Sequence, residues 1–252
     1  MKKITFCCAI SILLTLCASA QFINQGSTQS ATSNFTQYLN NNLLSSSAAK
    51  NKGAVITSFN NEENTVGARF LFNTWVDGDS VVNTQGVLIN TTSFLFNFDK
   101  MTGNLIATQD KINNMSVSPS GIYSFVLKYG SRRYPFEHVK VIDSANFFLA
   151  LVKSEAKYSL YKLLAAKFIP SNYRNDGVVQ TGNTNNEYKD ESRYYVADAA
   201  AGKSVEITSV KSKSIKAALP AVADKIDAFF KSHKEDAMDE AFLTKMVAYL
   251  NQ

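Results

Sequence analysis

The chain has 252 residues, 45% of them hydrophobic, enough for one large domain or two small ones with a real core. Its net charge of +5 is mild and gives no warrant for nucleic-acid binding, which needs basic residues concentrated on one face. Seventeen Phe and eleven Tyr against one Trp favour strands, where rings pack well on a pleated surface.

Met1, Lys2 and Lys3 form a short basic start, residues 4–16 an apolar run too short to span a bilayer comfortably, and Ala18-Ser19-Ala20 a small-x-small site. This predicts a signal peptide over residues 1–20, cleaved before Gln21. Lipidation at Cys17 needs a small residue before it, and Leu16 stands there. Losing Lys2 and Lys3 leaves 24 basic against 21 acidic residues, a net charge of about +3. All three cysteines (Cys7, Cys8, Cys17) leave with the peptide. The mature chain then has no disulfide and no thiol, and its core and sheet must hold it. The expectation is an exported protein of a Gram-negative envelope, periplasmic or outer-envelope associated. It is soluble after cleavage and has no transmembrane segment.

Residues 21–33 are rich in Gln, Ser, Thr and Asn and read as a flexible leader. Ser33 is placed to cap a helix over residues 34–50, with Phe35, Leu39 and Leu43 on one face. Alternation then predicts strands at 54–59 and 66–76, a hairpin at Asp77-Gly78, and a return over 80–89 that bends at Gly86. Further strands follow at 92–98, 104–108, 122–129 and 134–142, with turns at 99–103 and Asn113-Asn114.

The densest apolar block comes next: residues 146–152, polar punctuation at 153–157, and a second run over 158–168. It reads as a hairpin in the middle of the sheet. A long polar excursion over 170–190 leads back to the same sheet at Arg193-Tyr194-Tyr195-Val196. A last strand spans 204–210. Ile215, Leu219, Val222, Ile226, Phe229 and Phe230 then follow helical spacing, with Pro220 limiting or kinking the helix. A second helix carries Met238, Phe242, Met246, Tyr249 and Leu250. The predicted fold is a single α+β domain over 34–252. An extended antiparallel meander (54–210), curved or in two layers, carries one N-terminal helix and two C-terminal amphipathic helices within 214–251. A chain ending in a polar-faced helix is not the expected pattern of an outer-membrane barrel.

Catalytic constellations are sparse. His138 and His233 are the two histidines and form no His-x-x-x-His pair; zinc needs three or four ligands. Ser154 and Lys157, and again Ser159 and Lys162, have Ser-x-x-Lys spacing. The accompanying Ser-Asp-Asn and Lys-Thr-Gly elements are missing. Asp77, Asp79, Asp99, Asp176, Glu187, Asp190 and Glu191 lie mostly at turns, where such side chains bond their own backbone. No phosphate loop or dinucleotide fingerprint occurs, and no cofactor or metal is expected. The 170–190 loop exceeds ordinary connection lengths. Tyr173, Arg174 and Tyr188 in it offer stacking and hydrogen bonds to a polar ligand such as a sugar.

Four stretches carry a resemblance: Gly67-Ala-Arg-Phe-Leu-Phe-Asn-Thr-Trp-Val76, Phe96-Asn-Phe-Asp-Lys100 leading into Gly103-Asn-Leu105, Tyr158-Ser-Leu-Tyr-Lys162, and the tail from Ser214. In them the chain resembles a family of uncharacterised exported β-rich proteins of the Bacteroidetes type. The resemblance implies an envelope protein with a β-rich body and a helical C-terminus, and transfers no site residue. The leading expectation is a non-enzymatic binding or structural protein of the envelope, with an envelope protein, lipid or glycan as partner. One alternative is a lipid or lipoprotein carrier whose apolar cavity is lined by Phe70, Phe72, Phe94, Phe96 and Phe98. Another is a carbohydrate-binding or carbohydrate-active protein using the 170–190 loop.

Overall fold

The computed structural model of the protein describes residues 65–117 and 119–252. The expected signal peptide, leader, 34–50 helix and 54–59 strand lie outside those residues. In chain order the strands are β1 (Thr65–Gly67), β2 (Val76–Asn83), β3 (Leu88–Ile89), β4 (Leu95–Asp99), β5 (Asn104–Thr108), β6 (Asn114–Val117), β7 (Ile122–Tyr129) and β8 (Arg132–Val139). They continue as β9 (Asp143–Val152), β10 (Tyr158–Leu163), β11 (Ala166–Ile169), β12 (Arg174–Asn175), β13 (Gln180–Thr181), β14 (Asn186–Asp190), β15 (Arg193–Asp198) and β16 (Lys203–Ile207). Three helices follow: α1 (Ser212–Ala218), α2 (Ala223–Ser232) and α3 (Glu240–Leu250).

Eleven strands form one sheet in the order β16-β15-β10-β9-β8-β7-β2-β4-β5-β6, with β3 beside β2. Its pairings are antiparallel, as expected of a meander. The expected hairpin is β9–β10, and β15 does return to pair with β10. The excursion between them builds structure of its own. β11 pairs with β14, β14 runs parallel to β1, and β12 and β13 make a small hairpin.

Several boundaries differ from the expected ones, each for a local reason. The 66–76 strand stops at Gly67, whose φ is +80° and where a Cβ would lie 2.1 Å from the Tyr188 carbonyl oxygen. Residues between β1 and β2 are instead held by the buried Asn97 side chain. Its Oδ1 accepts from the Phe72 N–H (3.2 Å), and its Nδ2 donates to the carbonyls of Phe72 (2.8 Å) and Thr74 (3.0 Å). The Asp77-Gly78 hairpin is absent because both residues lie inside β2. Gly78 serves close approach rather than a turn: a Cβ there would sit 2.6 Å from the Phe96 ring. The 134–142 strand starts at Arg132 and closes at Val139, where the Ile142 N–H bonds back to the Val139 carbonyl. The 158–168 run divides between two sheets. The first C-terminal helix splits at Pro220, which opens a 3-10 turn (Pro220–Val222) between α1 and α2, so three helices replace the expected two.

One face of the large sheet holds two apolar cores. In the first, Phe98 stacks on Phe136 (4.8 Å), Phe136 on Phe125 (4.7 Å), and Phe147 meets Phe125 edge-on. In the second, Ile215, Leu219, Ile226, Phe229 and the α3 residues Phe242, Leu243, Met246, Val247 and Leu250 cover Leu160, Val196 and Ile207. The cores share that face. Leu149 of the first is the register partner of Lys162, and the Lys162 ammonium donates to Glu240 of α3 (2.7 Å). Among the described residues, no helix is long and apolar enough to cross a membrane.

Candidate functional site

The opposite face carries a smaller cluster of Val139, Phe148, Tyr161, Leu163 and Ala197. Beside it opens a groove of about 1010 Å³. Alternation along β8 and β10 turns Glu137 and Tyr161 to this face. The β-bulge between Leu160 and Tyr161 sets how β10 meets β9. Lys153 reaches in from just beyond β9, and Tyr123 of β7 stands on the wall.

The floor is a hydrogen-bonded triad. The Tyr161 hydroxyl donates to Glu137 Oε1 at 2.8 Å, and Lys153 Nζ donates to Glu137 Oε2 at 2.6 Å. The Glu137 side chain is 15% exposed and Lys153 56%. Burial, reinforced by the bond to Glu137, pushes the Tyr161 phenol well above its ordinary value. Tyr161 is therefore a permanent donor at neutral pH, and it fixes the carboxylate in place. Each Glu137 oxygen already carries a partner, so the carboxylate is held in one orientation.

His138 lies at the same groove but is committed elsewhere. Its Nδ1 is 2.9 Å from the Asn146 carbonyl and its Nε2 3.1 Å from that of Pro119, with the ring against Phe147. It ties the turn Pro119–Gly121 to β8 and β9. His233 caps α2, stacked on Phe229 with Nδ1 3.0 Å from the Phe229 carbonyl. Among the described residues, no three His, Asp or Glu side chains gather as a metal site would require.

The Ser-x-x-Lys matches are structural. The Ser159 hydroxyl donates to the Ser154 carbonyl (3.0 Å) and accepts the Ser154 N–H (2.9 Å), closing the β9–β10 turn. Ser159 and Lys162 point to opposite faces of β10. Among the turn carboxylates, Asp99 takes the Arg69 guanidinium (2.6 Å from Nη2) and the Met101 N–H (3.0 Å).

Tyr173, Arg174 and Tyr188 do not form one constellation. Tyr173 and Arg174 sit at the start of the β12–β13 hairpin, both exposed, with Arg174 paired to Thr181. Tyr188 belongs to β14 in the other small sheet, between Gly67 and Phe168, its ring 5.1 Å from that of Phe168.

The sequence reading did not single out Glu137, Tyr161 and Lys153 as a group. Period-two alternation places Glu137 and Tyr161 on sheet faces, but nothing local reveals that the faces coincide. Compared with known proteins, the chain matches no family model, no curated protein and no solved structure.

Proposed function

We propose that this is a non-enzymatic binding protein of a bacterial envelope, exported through residues 1–20, with the Glu137–Tyr161–Lys153 groove as its recognition surface. The observation that carries the reading is the ordered triad: each Glu137 oxygen is held by one partner, a buried phenol on one side and an ammonium on the other. Such a preorganised polar floor favours ligand binding. The resemblance to exported Bacteroidetes proteins agrees with the compartment. The lipid-carrier alternative draws less support, because Phe72, Phe94, Phe96 and Phe98 are spent on core packing.

The test is expression of the full chain, carrying a C-terminal tag, in a Gram-negative host. Processed protein beginning at Gln21, in the soluble periplasmic fraction and without added lipid mass, is the expected result. No turnover of chromogenic glycoside or ester substrates should accompany it. Unprocessed cytoplasmic protein, or turnover abolished by Glu137→Gln, would overturn the reading.

A further inference from the structure

The groove also indicates what kind of ligand it takes. Its charges balance in number: Glu137 and Glu155 line it with Lys140 and Lys153, and Glu137 pairs with Lys153. An anion or cation would find no surplus of opposite charge to offset its desolvation. The polar capacity is nevertheless high. A carboxylate offers about four lone-pair sites and an ammonium three donors; the triad uses one lone pair on each Glu137 oxygen and one Lys153 donor. The remaining acceptors and donors lie side by side, on atoms 2.6 Å apart, which is the pattern that two adjacent hydroxyls satisfy.

The wall supplies the complementary apolar element. Tyr123 is 47% exposed although it lies on a central strand. It lines the same groove as Tyr161. An exposed phenol beside a fixed donor–acceptor pair suits a ligand with one C–H face and one edge of hydroxyls. The volume of about 1010 Å³ is at the upper end of ligand clefts and leaves room for more than one ring.

We propose that the groove binds a neutral oligosaccharide, with Tyr123 as the stacking platform and the Glu137–Lys153 pair as the hydroxyl clamp. This rests on the reading of the protein as a binding protein and gives that site its ligand class.

The test uses the processed full-length protein with N,N'-diacetylchitobiose, cellobiose and maltotriose, read by saturation-transfer NMR and titration calorimetry. Binding of at least one saccharide is expected. Tyr123→Ala and Lys153→Met should each weaken it about tenfold; Tyr123→Ala should leave the thermal midpoint unchanged, whereas Lys153→Met, which takes one partner from Glu137, should lower it while the cooperative unfolding transition is kept. Failure of all three to bind, equal binding by wild type and the double variant, or displacement by inorganic phosphate would each overturn the proposal. Exported, catalytically silent protein that ignores all three saccharides would sink this inference alone. Hydrolysis of a bound saccharide would instead keep the ligand class and remove the non-enzymatic reading.

Discussion

Between β5 and β6, Asp110 gathers the hydrogen bonds that close its turn. Its carboxylate accepts from the Asn113 side chain (2.6 Å) and from the backbone N–H groups of Asn113 (2.7 Å) and Ile112 (2.9 Å), while Lys111 adopts φ +63°. The Asn113 amide and those N–H groups hold the carboxyl down at about 2. The sign of the pH effect follows. The turn's contribution is fully present above the ordinary carboxylate value of 3.8 and is lost as pH falls toward about 2. Carboxyl-selective NMR should show Asp110 titrating near 2, and Asp110→Ala should accelerate amide exchange at Ile112 and Asn113. A titration near 3.8 would refute the geometry. Turn chemistry of this kind is local, because Asp and Asn act on residues two or three positions away, yet the turn expected at Asn113-Asn114 centres on Asp110 instead, and Asn114 already opens β6. The groove triad is not local and was not legible. Glu137, Lys153 and Tyr161 meet only through the β8–β9–β10 register, and a bulge sets that register.

Elements were legible where one rule governed them. β5 and β7 span the expected residues, since simple alternation between clear turns leaves little choice. Reading failed where a tertiary contact overrode the local pattern: at Gly78 beneath the Phe96 ring, and after Gly67 beside Tyr188. The last helix shows a related device. Asp239 caps α3 by accepting the Phe242 N–H (3.0 Å), and at the far end Asn251 copies a strand residue. Its Oδ1 accepts the Tyr158 N–H (2.9 Å) and its Nδ2 donates to the Tyr158 carbonyl (2.8 Å), while the Lys157 ammonium donates to its backbone carbonyl (2.6 Å). These bonds tie α3 to the start of β10. Asn251→Ala leaves both Tyr158 groups without these partners and should cost about 1–3 kcal/mol in urea unfolding. Asn251→Asp keeps the acceptor and loses the donor, so it should fall between. A neutral Asn251→Ala would show that the last turn frays without consequence.

At the scale of the molecule, one sheet face carries two cores, and Leu151 packs against both. The aromatic core is closed by strands of the sheet itself. The second depends wholly on the C-terminal helices, which bury Ile215, Leu219, Ile226, Phe229 and five residues of α3 against β10, β15 and β16. Full burial of one such side chain stabilises by about 1.5–3 kcal/mol, whereas an entire domain is stable by only about 5–15 kcal/mol. The helices are therefore not an appendage that the sheet can lose. Truncation after Val210 strips the cover from Leu160, Val196 and Ile207 and creates an exposed apolar sheet face of the kind that aggregates. The truncated chain should bind an apolar dye, lose its near-ultraviolet circular dichroism and partition into the insoluble fraction. Because β10 carries both Leu160 and Tyr161 on opposite faces, the groove should be lost with the core. A soluble truncation that keeps near-ultraviolet dichroism and full cooperativity would mean that the aromatic core holds the sheet by itself.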